Sequence, residues 1–419
     1  MPRGKRFLAS VGGRFKSLRS SPLLSPSALL ERLSERELTP TADPGRPEQV
    51  EAALDWLARA QDAAPDDGIA RGYSLTWNRV YRSRGWQPSY PEATGYIVPT
   101  LYAWAAELNR PDLARRAERA AHWEIGLQLP TGAVQAGVVG QTRAPSVFNT
   151  GQVMLGWLAA YEATAGSEFA DAARRAGRFL VATLDPERHD WTRGNSPLAL
   201  SDATRYNSRT AWILAEAGVR LQEPEFVAAA GRHLCAVVAE HRDNGWLPRC
   251  CLNDPERPLL HTLAYAVSGL LGGGLILEND LILRAARRSA GHLADTIDPR
   301  GWMSGRFYPD WSAAVRWSCL TGEAQMADVW LRFYAHTGEP AWLDRARRVL
   351  AFIEATRNLR SRNPGLRGGI KGSWPVDGEY GGYEILSWAV KFYLDAVLRY
   401  RWATRSRNPG PPPGASLLG

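Results

Sequence analysis

From about residue 48 to about residue 402 the chain alternates between two kinds of helical pattern, twelve in all, and this alternation restricts the fold more than any other feature. One series starts near residues 48, 111, 167, 223, 278 and 340; it is rich in Ala, Arg and Glu and carries a single apolar stripe, as in Leu113-Ala114-Arg115-Arg116-Ala117-Glu118-Arg119. One-sided helices belong on the outside of a body. The other series starts near 92, 147, 204, 259, 318 and 382 and is apolar most of the way round, as in Val153-Met154-Leu155-Gly156-Trp157-Leu158, so it is expected to be buried. The outer-to-inner unit recurs at roughly 55 to 60 residues, a period typical of repetitive α architectures.

The links obey the same rule. Inner-to-outer links are short, as at Asn109-Arg110-Pro111-Asp112, whereas outer-to-inner links are long and carry Gly, Trp and charged residues: Gly85-Trp86, Asp190-Trp191, Gly245-Trp246, Gly301-Trp302 and Gly372-Ser373-Trp374. Long links on a compact body are where binding groups usually sit, and all of them fall at one end. The pattern predicts an all-α fold, an α/α toroid of six helical hairpins over residues 48–402. Residues 1–47 read as a basic arm and linker, and 403–419 as a disordered Pro/Gly-rich tail. Within the arm, Leu23, Leu24, Leu29, Leu30 and Leu33 outline a short amphipathic helix, which either docks on the body or touches a membrane.

Charge narrows the choice of partner. The net charge is +8, but ten basic residues lie in 1–22 and 399–419 without an acid, leaving 41 basic against 43 acidic in the body. A nearly neutral body argues against tracking nucleic-acid phosphates; basic ends suit an anionic membrane surface or an acidic partner. Cys235, Cys250, Cys251 and Cys319 have no metal spacing, and adjacent Cys250 and Cys251 do not readily form an ordinary disulfide. No apolar run spans a membrane and no signal-peptide pattern opens the chain, so a cytoplasmic protein of bacterial type, peripheral to the inner membrane at most, is expected. No cofactor is expected: Gly272-Gly273-Gly274 follows no strand and is no nucleotide loop, and no acidic cyclase motif or metal cluster is present.

One stretch stands out: Gly85-Trp86-Gln87-Pro88-Ser89-Tyr90-Pro91-Glu92-Ala93-Thr94-Gly95-Tyr96. Pro91 suits the first turn of a helix, and Glu92 then lies by the positive end of its dipole. With the six hairpins, the segment Ser89–Tyr96 resembles the six-hairpin glycosidase superfamily, in particular the six-hairpin proteins encoded in bacterial exopolysaccharide loci. The resemblance covers about residues 48–402. It implies a carbohydrate-binding cleft at the long-link end and a role in making or trimming a polysaccharide, without fixing the reaction.

If the ring closes, the inner-helix starts converge and bring together candidate groups. Glu92 and Glu384, from the first and last inner helices, form the leading pair of catalytic acids for glycoside hydrolysis, with Asp202 and Glu323 in reserve. Tyr206 and His261, with Arg209 and Tyr265, instead suit an acidic-sugar epimerase or lyase, in which base, acid and cation handle a C5 proton. Candidate substrate-binding residues are Trp86, Tyr90, Asn149, Asn207, Arg209, Trp246, Tyr265, Trp302, Arg306, Gln325, Trp374, Tyr380 and Tyr383. Helix capping is the structural alternative for Asn149, Asp202 and Asn207, and plugging a hairpin end is that for the four Trp. Two classes of function stand side by side: an enzyme acting on a poly- or oligosaccharide, and a non-catalytic glycan-binding assembly protein.

Overall fold

The computed structural model describes residue 22 and residues 25–405, except 36–37, 39, 41–42 and 198. The basic residues before 22, Leu23, Leu24 and the Pro/Gly-rich tail after 405 lie outside the described residues. A short helix, α1 (Pro26–Ser34), precedes the body. The outer ring is α2 (Pro47–Asp62), α4 (Pro111–Leu127), α6 (Ser167–Thr183), α8 (Pro224–Ala239), α10 (Asp280–Asp295) and α12 (Pro340–Thr356). The inner ring is α3 (Pro91–Leu108), α5 (Val147–Thr164), α7 (Ser208–Arg220), α9 (Leu260–Ile276), α11 (Leu320–Thr337) and α13 (Ser387–Arg405). Each inner helix packs on the next, and α13 packs back on α3, so the ring is shut.

Burial follows the two sequence patterns. Helix α4 buries Leu113, Ala117, Ala120, Ala121 and Glu124 on one face, whereas α5 is buried from Val147 to Ala160. Inner helices crowd so closely that side chains are excluded at the contacts. A Cβ on Gly156 would stand 2.4 Å from the Gly95 carbonyl oxygen, and one on Gly269 would stand 2.2 Å from the Ser208 carbonyl carbon. Below the mouth the axis is filled by polar side chains: Arg209 donates to Gln152 (2.8 Å), Arg399 to Asp328 (2.7 Å) and Thr100 to Asp395 (2.6 Å), beside the buried Lys391–Asp395 pair. The long links gather at the end where the inner helices start.

Short strands ornament that end. β1 (Gly72–Asn78) lies between β2 (Ser83–Trp86) and β7 (Glu384–Leu386), all antiparallel, with Tyr73 opposite Trp86 and Ser74 opposite Glu384. Two smaller pairs, β3 (Val134–Gln135) with β4 (Pro145–Ser146) and β5 (Ser318–Cys319) with β6 (Ser373–Trp374), complete the strands. The sixth inner pattern, read as helical from near 382, is extended through 386 because its backbone pairs with β1; Glu384 therefore sits on a strand and not at a helix start. Trp86 belongs to β2.

Helix α1 does dock on the body, but through a polar face. Ala28, Glu31 and Glu35 are buried; Lys371 pairs with Glu31 (2.6 Å) and Glu35 (2.8 Å), and Glu35 also accepts the Val376 N–H (2.9 Å). Of the leucines that outline this helix, Leu29 is half-buried, whereas Leu30 and Leu33 lie outward and are exposed. The buried lysine recruits the two glutamates, because a buried cation without partners is far costlier than exposed leucine.

Candidate active site

The mouth is organised around Glu92. Pro91 opens α3, and Glu92 follows in its first turn. The Tyr90 hydroxyl donates to Glu92 Oε2, and both residues keep part of their surface open to solvent. Enclosure by the surrounding rings raises the Glu92 carboxyl to about 7, against the opposing pull of the Tyr90 hydrogen bond and of the charges on Arg71 and Arg209. The hydroxyls of Tyr96, Tyr206 and Tyr265 lie near enough to feel the Glu92 charge, and burial holds each well above the usual tyrosine range.

Aromatic faces line the opening without a break. Tyr90 meets Trp388 edge-on (5.8 Å between ring centres), and the Trp388 indole N–H donates to the Tyr380 hydroxyl (2.8 Å). Tyr380 faces His261 (5.3 Å), His261 faces Tyr265 (4.4 Å), and Tyr265 continues to Phe148 (4.7 Å) and thence Tyr206 (5.2 Å). Such rings suit the apolar faces of pyranoses while hydroxyls around them supply orientation. His261 Nδ1 donates to Gln325 Oε1 (2.7 Å), which leaves the lone pair on Nε2. Burial lowers this imidazole to about 4, so it is neutral at ordinary pH.

Glu384 and Glu92 are both at the mouth, in different settings. Glu384 accepts from Arg71 Nη1 (3.0 Å), Gln87 Nε2 (2.5 Å) and Asn78 Nδ2 (2.6 Å), and is buried. Arg71 Nη1 also donates to Gln87 Oε1 (2.6 Å), and its guanidinium lies over the Tyr81 ring (4.5 Å) and the Trp388 ring (4.9 Å). Glu384 thus orients Arg71, which in turn borders Glu92.

The other sequence candidates divide in two. Arg209 lies beneath the floor against Tyr265 and Phe392, and Asn207 is fully buried with neither amide atom bonded to protein. The Tyr206 hydroxyl is engaged by Asn195 Oδ1 (2.6 Å). The remainder serve the framework. Asp202 is exposed in a turn and touches none of these groups among the described contacts. Buried Glu323 accepts the Met303 N–H (2.9 Å), and burial holds it well above the ordinary carboxylate range. Asn149 bonds the Gln135 carbonyl (3.0 Å) in the cap of α5. Arg306 donates to the Arg257 carbonyl (2.7 Å). Trp86 packs on Trp56 (5.2 Å), Trp246 on Trp311 (5.0 Å) and Trp374 on Phe352 (5.4 Å), each within a hairpin end; Trp302 and Tyr383 are half-buried in their links.

Sequence reasoning passed over Arg71, Asn78, Tyr81, Gln87 and Trp388. The alternation Tyr73-Leu75-Trp77 marks β1 and was the available signal for the first four; Trp388 is indistinguishable from a core residue of an inner helix. Among the described residues, no group of three or more His, Cys, Asp or Glu side chains is placed to hold a metal ion.

The shut ring of six hairpins is an α/α toroid, a fold that its solved structural neighbours share. Its solved structural neighbours include an unsaturated glucuronyl hydrolase specific for heparin, with a TM-score of 0.68 and 15% identity over 85% of this chain and 97% of that one. The unsaturated glucuronyl hydrolase from Bacillus sp. GL1 superposes with a TM-score of 0.66 and 15% identity over 85% of this chain and 97% of that one. The cellobiose 2-epimerase from Bacillus thermoamylovorans B4167 gives 0.64 and 12% identity, over 84% of this chain and 97% of that one. No family sequence model matches the chain, and no curated protein matches it in sequence. At these identities the likeness is one of fold.

Proposed function

We propose that this protein is a carbohydrate-active enzyme that hydrolyses a glycosidic bond of an acidic polysaccharide or oligosaccharide, with Glu92 as the group that moves the proton. One observation carries the reading: Glu92 is a solvent-reachable carboxyl held at about 7 in a mouth walled by aromatic rings. A carboxyl poised there gives up and recovers a proton at neutral pH. As the acid, Glu92 protonates the bridging oxygen as its bond to the anomeric carbon breaks. The carboxylate so formed then takes a proton from the water that adds to that carbon, and the starting state is restored. In this reading Glu384 does not act as a second reactive acid; with three donors on its oxygens, it holds Arg71 in place. Arg71, close to the Tyr81 and Trp388 rings and to Glu92, supports a sugar bearing a carboxylate. The resemblance of Ser89–Tyr96 supports a place in exopolysaccharide synthesis or trimming.

A second reading has one specific observation behind it. His261, neutral and with Nε2 free to accept, faces Tyr265 and Tyr380, an arrangement that suits proton abstraction and return in an epimerase. Reducing-end release from acidic oligosaccharides tests the first reading, and deuterium uptake from D2O without cleavage marks the second. Under hydrolysis Glu92→Gln lowers turnover by about 10²- to 10⁴-fold, the usual share of acid–base catalysis. Turnover unchanged by Glu92→Gln overturns the proposal, and glycan binding without any turnover makes the protein a binder.

A further inference from the structure

The arm and the first hairpin share a surface that the cleft does not use. Helix α1 is fixed through one side, where Lys371 pairs with Glu31 and Glu35, Arg32 pairs with Asp377 (2.9 Å) and Asn358 donates to Glu31 (2.9 Å). On the other side Leu30 is 68% exposed and Leu33 52%, one turn apart and on one face. Adjoining α1 are the strands of the β1–β2 hairpin, joined to it where Arg84 donates to the Ser25 hydroxyl (3.1 Å) and that hydroxyl donates to the Leu75 carbonyl (2.6 Å). The tip carries Val80, 67% exposed, between Arg79 and Arg82. From residue 68 to residue 91 there is no acid, while Arg79, Arg82 and Arg84 fall within it; Arg71 of the same segment is paired with Glu384 in the cleft.

Three of the seven large apolar side chains most exposed among the described residues therefore lie on two elements that meet at Ser25. The chain leading into α1 adds Arg3, Lys5, Arg6, Arg14, Lys16 and Arg19, again with no acid before residue 31. Elsewhere the body is close to neutral. Exposed apolar side chains beside arginines, in a chain whose preceding sequence is cationic, match the chemistry of a bilayer interface, in which apolar groups enter the headgroup boundary and cations meet anionic lipid.

We propose that the outward face of α1 and the β1–β2 tip form a docking surface for an anionic lipid membrane. Tyr81 of the same hairpin covers Arg71 at the cleft, so docking holds the cleft rim close to the lipid surface. An acidic polymer in solution would also be drawn to the arginines, but it has no use for the leucines, and that difference decides between them.

The full chain is to be mixed with sedimentable vesicles of neutral phosphatidylcholine, alone or with about a third phosphatidylglycerol, at low and at 0.5 M salt. Binding to the anionic vesicles only, weakened by salt as screening requires, is the expected result. The double variant Leu30→Ser/Leu33→Ser should bind about tenfold or more weakly, as loss of two inserted apolar groups implies. Val80→Ser and Arg82→Gln each give a smaller loss, and thermal melting stays unchanged because these side chains are exposed. Equal binding to neutral vesicles, no binding to anionic ones, or full binding by the leucine variant overturns the proposal. So does a self-associated species that the leucine variant disperses while vesicles leave it untouched.

Discussion

Replacing Glu92 with glutamine should make the protein more stable above neutral pH while lowering the activity proposed for it, and the size of the stability gain can be worked out. In the unfolded chain a carboxyl titrates near the ordinary 4.5, whereas in the fold enclosure lifts Glu92 to about 7. Below 4.5 the group is protonated in both states and adds no difference. As pH rises from 4.5 to 7 the unfolded chain loses its proton first, so stability falls, and above 7 the loss is complete. At about 1.4 kcal/mol per pH unit the full difference is about 3 kcal/mol. Because part of the carboxyl meets water, the measured figure should lie nearer about 1 to 2 kcal/mol. Glutamine never ionises, and its carbonyl can still accept from the Tyr90 hydroxyl. Denaturant unfolding of wild type and Glu92→Gln at pH 4, 5.5 and 8 should therefore show a difference near zero at pH 4, growing to its full value at pH 8. A variant less stable at pH 8, or a difference that does not change with pH, would refute the claim that the mouth disfavours the charged acid. Acids held at such a cost are commonly functional.

Two further variants probe the framework. Lys371→Met leaves Glu31 and Glu35 buried without their cation and should lower stability by about 3 to 5 kcal/mol, read from unfolding midpoints; Leu30→Ser, on the exposed face of the same helix, should change little. Gly156→Ala drives a methyl to 2.4 Å from a backbone oxygen of the neighbouring inner helix and should cost about 1 to 3 kcal/mol, seen as a lowered melting temperature, whereas Gly126→Ala, with open space around it, should not.

The ring was legible because its physics is periodic. Two helix types, short links alternating with long ones, and small residues where inner helices touch all leave marks along the sequence; Gly272 and Gly273 make room for Trp212 and Leu234. The site was legible only in part. Pro91 and Glu92 announced themselves through helix-start chemistry, but the setting of Glu384 depends on β1, a strand contributed from across the ring, and no local pattern near residue 384 reports a partner so far away. Asp202 and Glu323 looked alike in sequence, as polar groups at inner-helix starts. One is exposed in a turn and the other secures the Met303 backbone, a distinction made by tertiary packing alone. The docked face of α1 was not legible for a related reason: the lysine that anchors this helix lies in another hairpin.

Because β1 pairs with β7 and α13 returns to α3, the wall around Glu92 is built from both extremities of the ring. A chain still emerging from the ribosome, with five hairpins made, has Glu92 but lacks Tyr380 and Trp388 to enclose it. Its carboxyl then behaves like any other on a protein surface. On the role proposed for Glu92, its competence therefore waits until synthesis of the last hairpin lets the circle join.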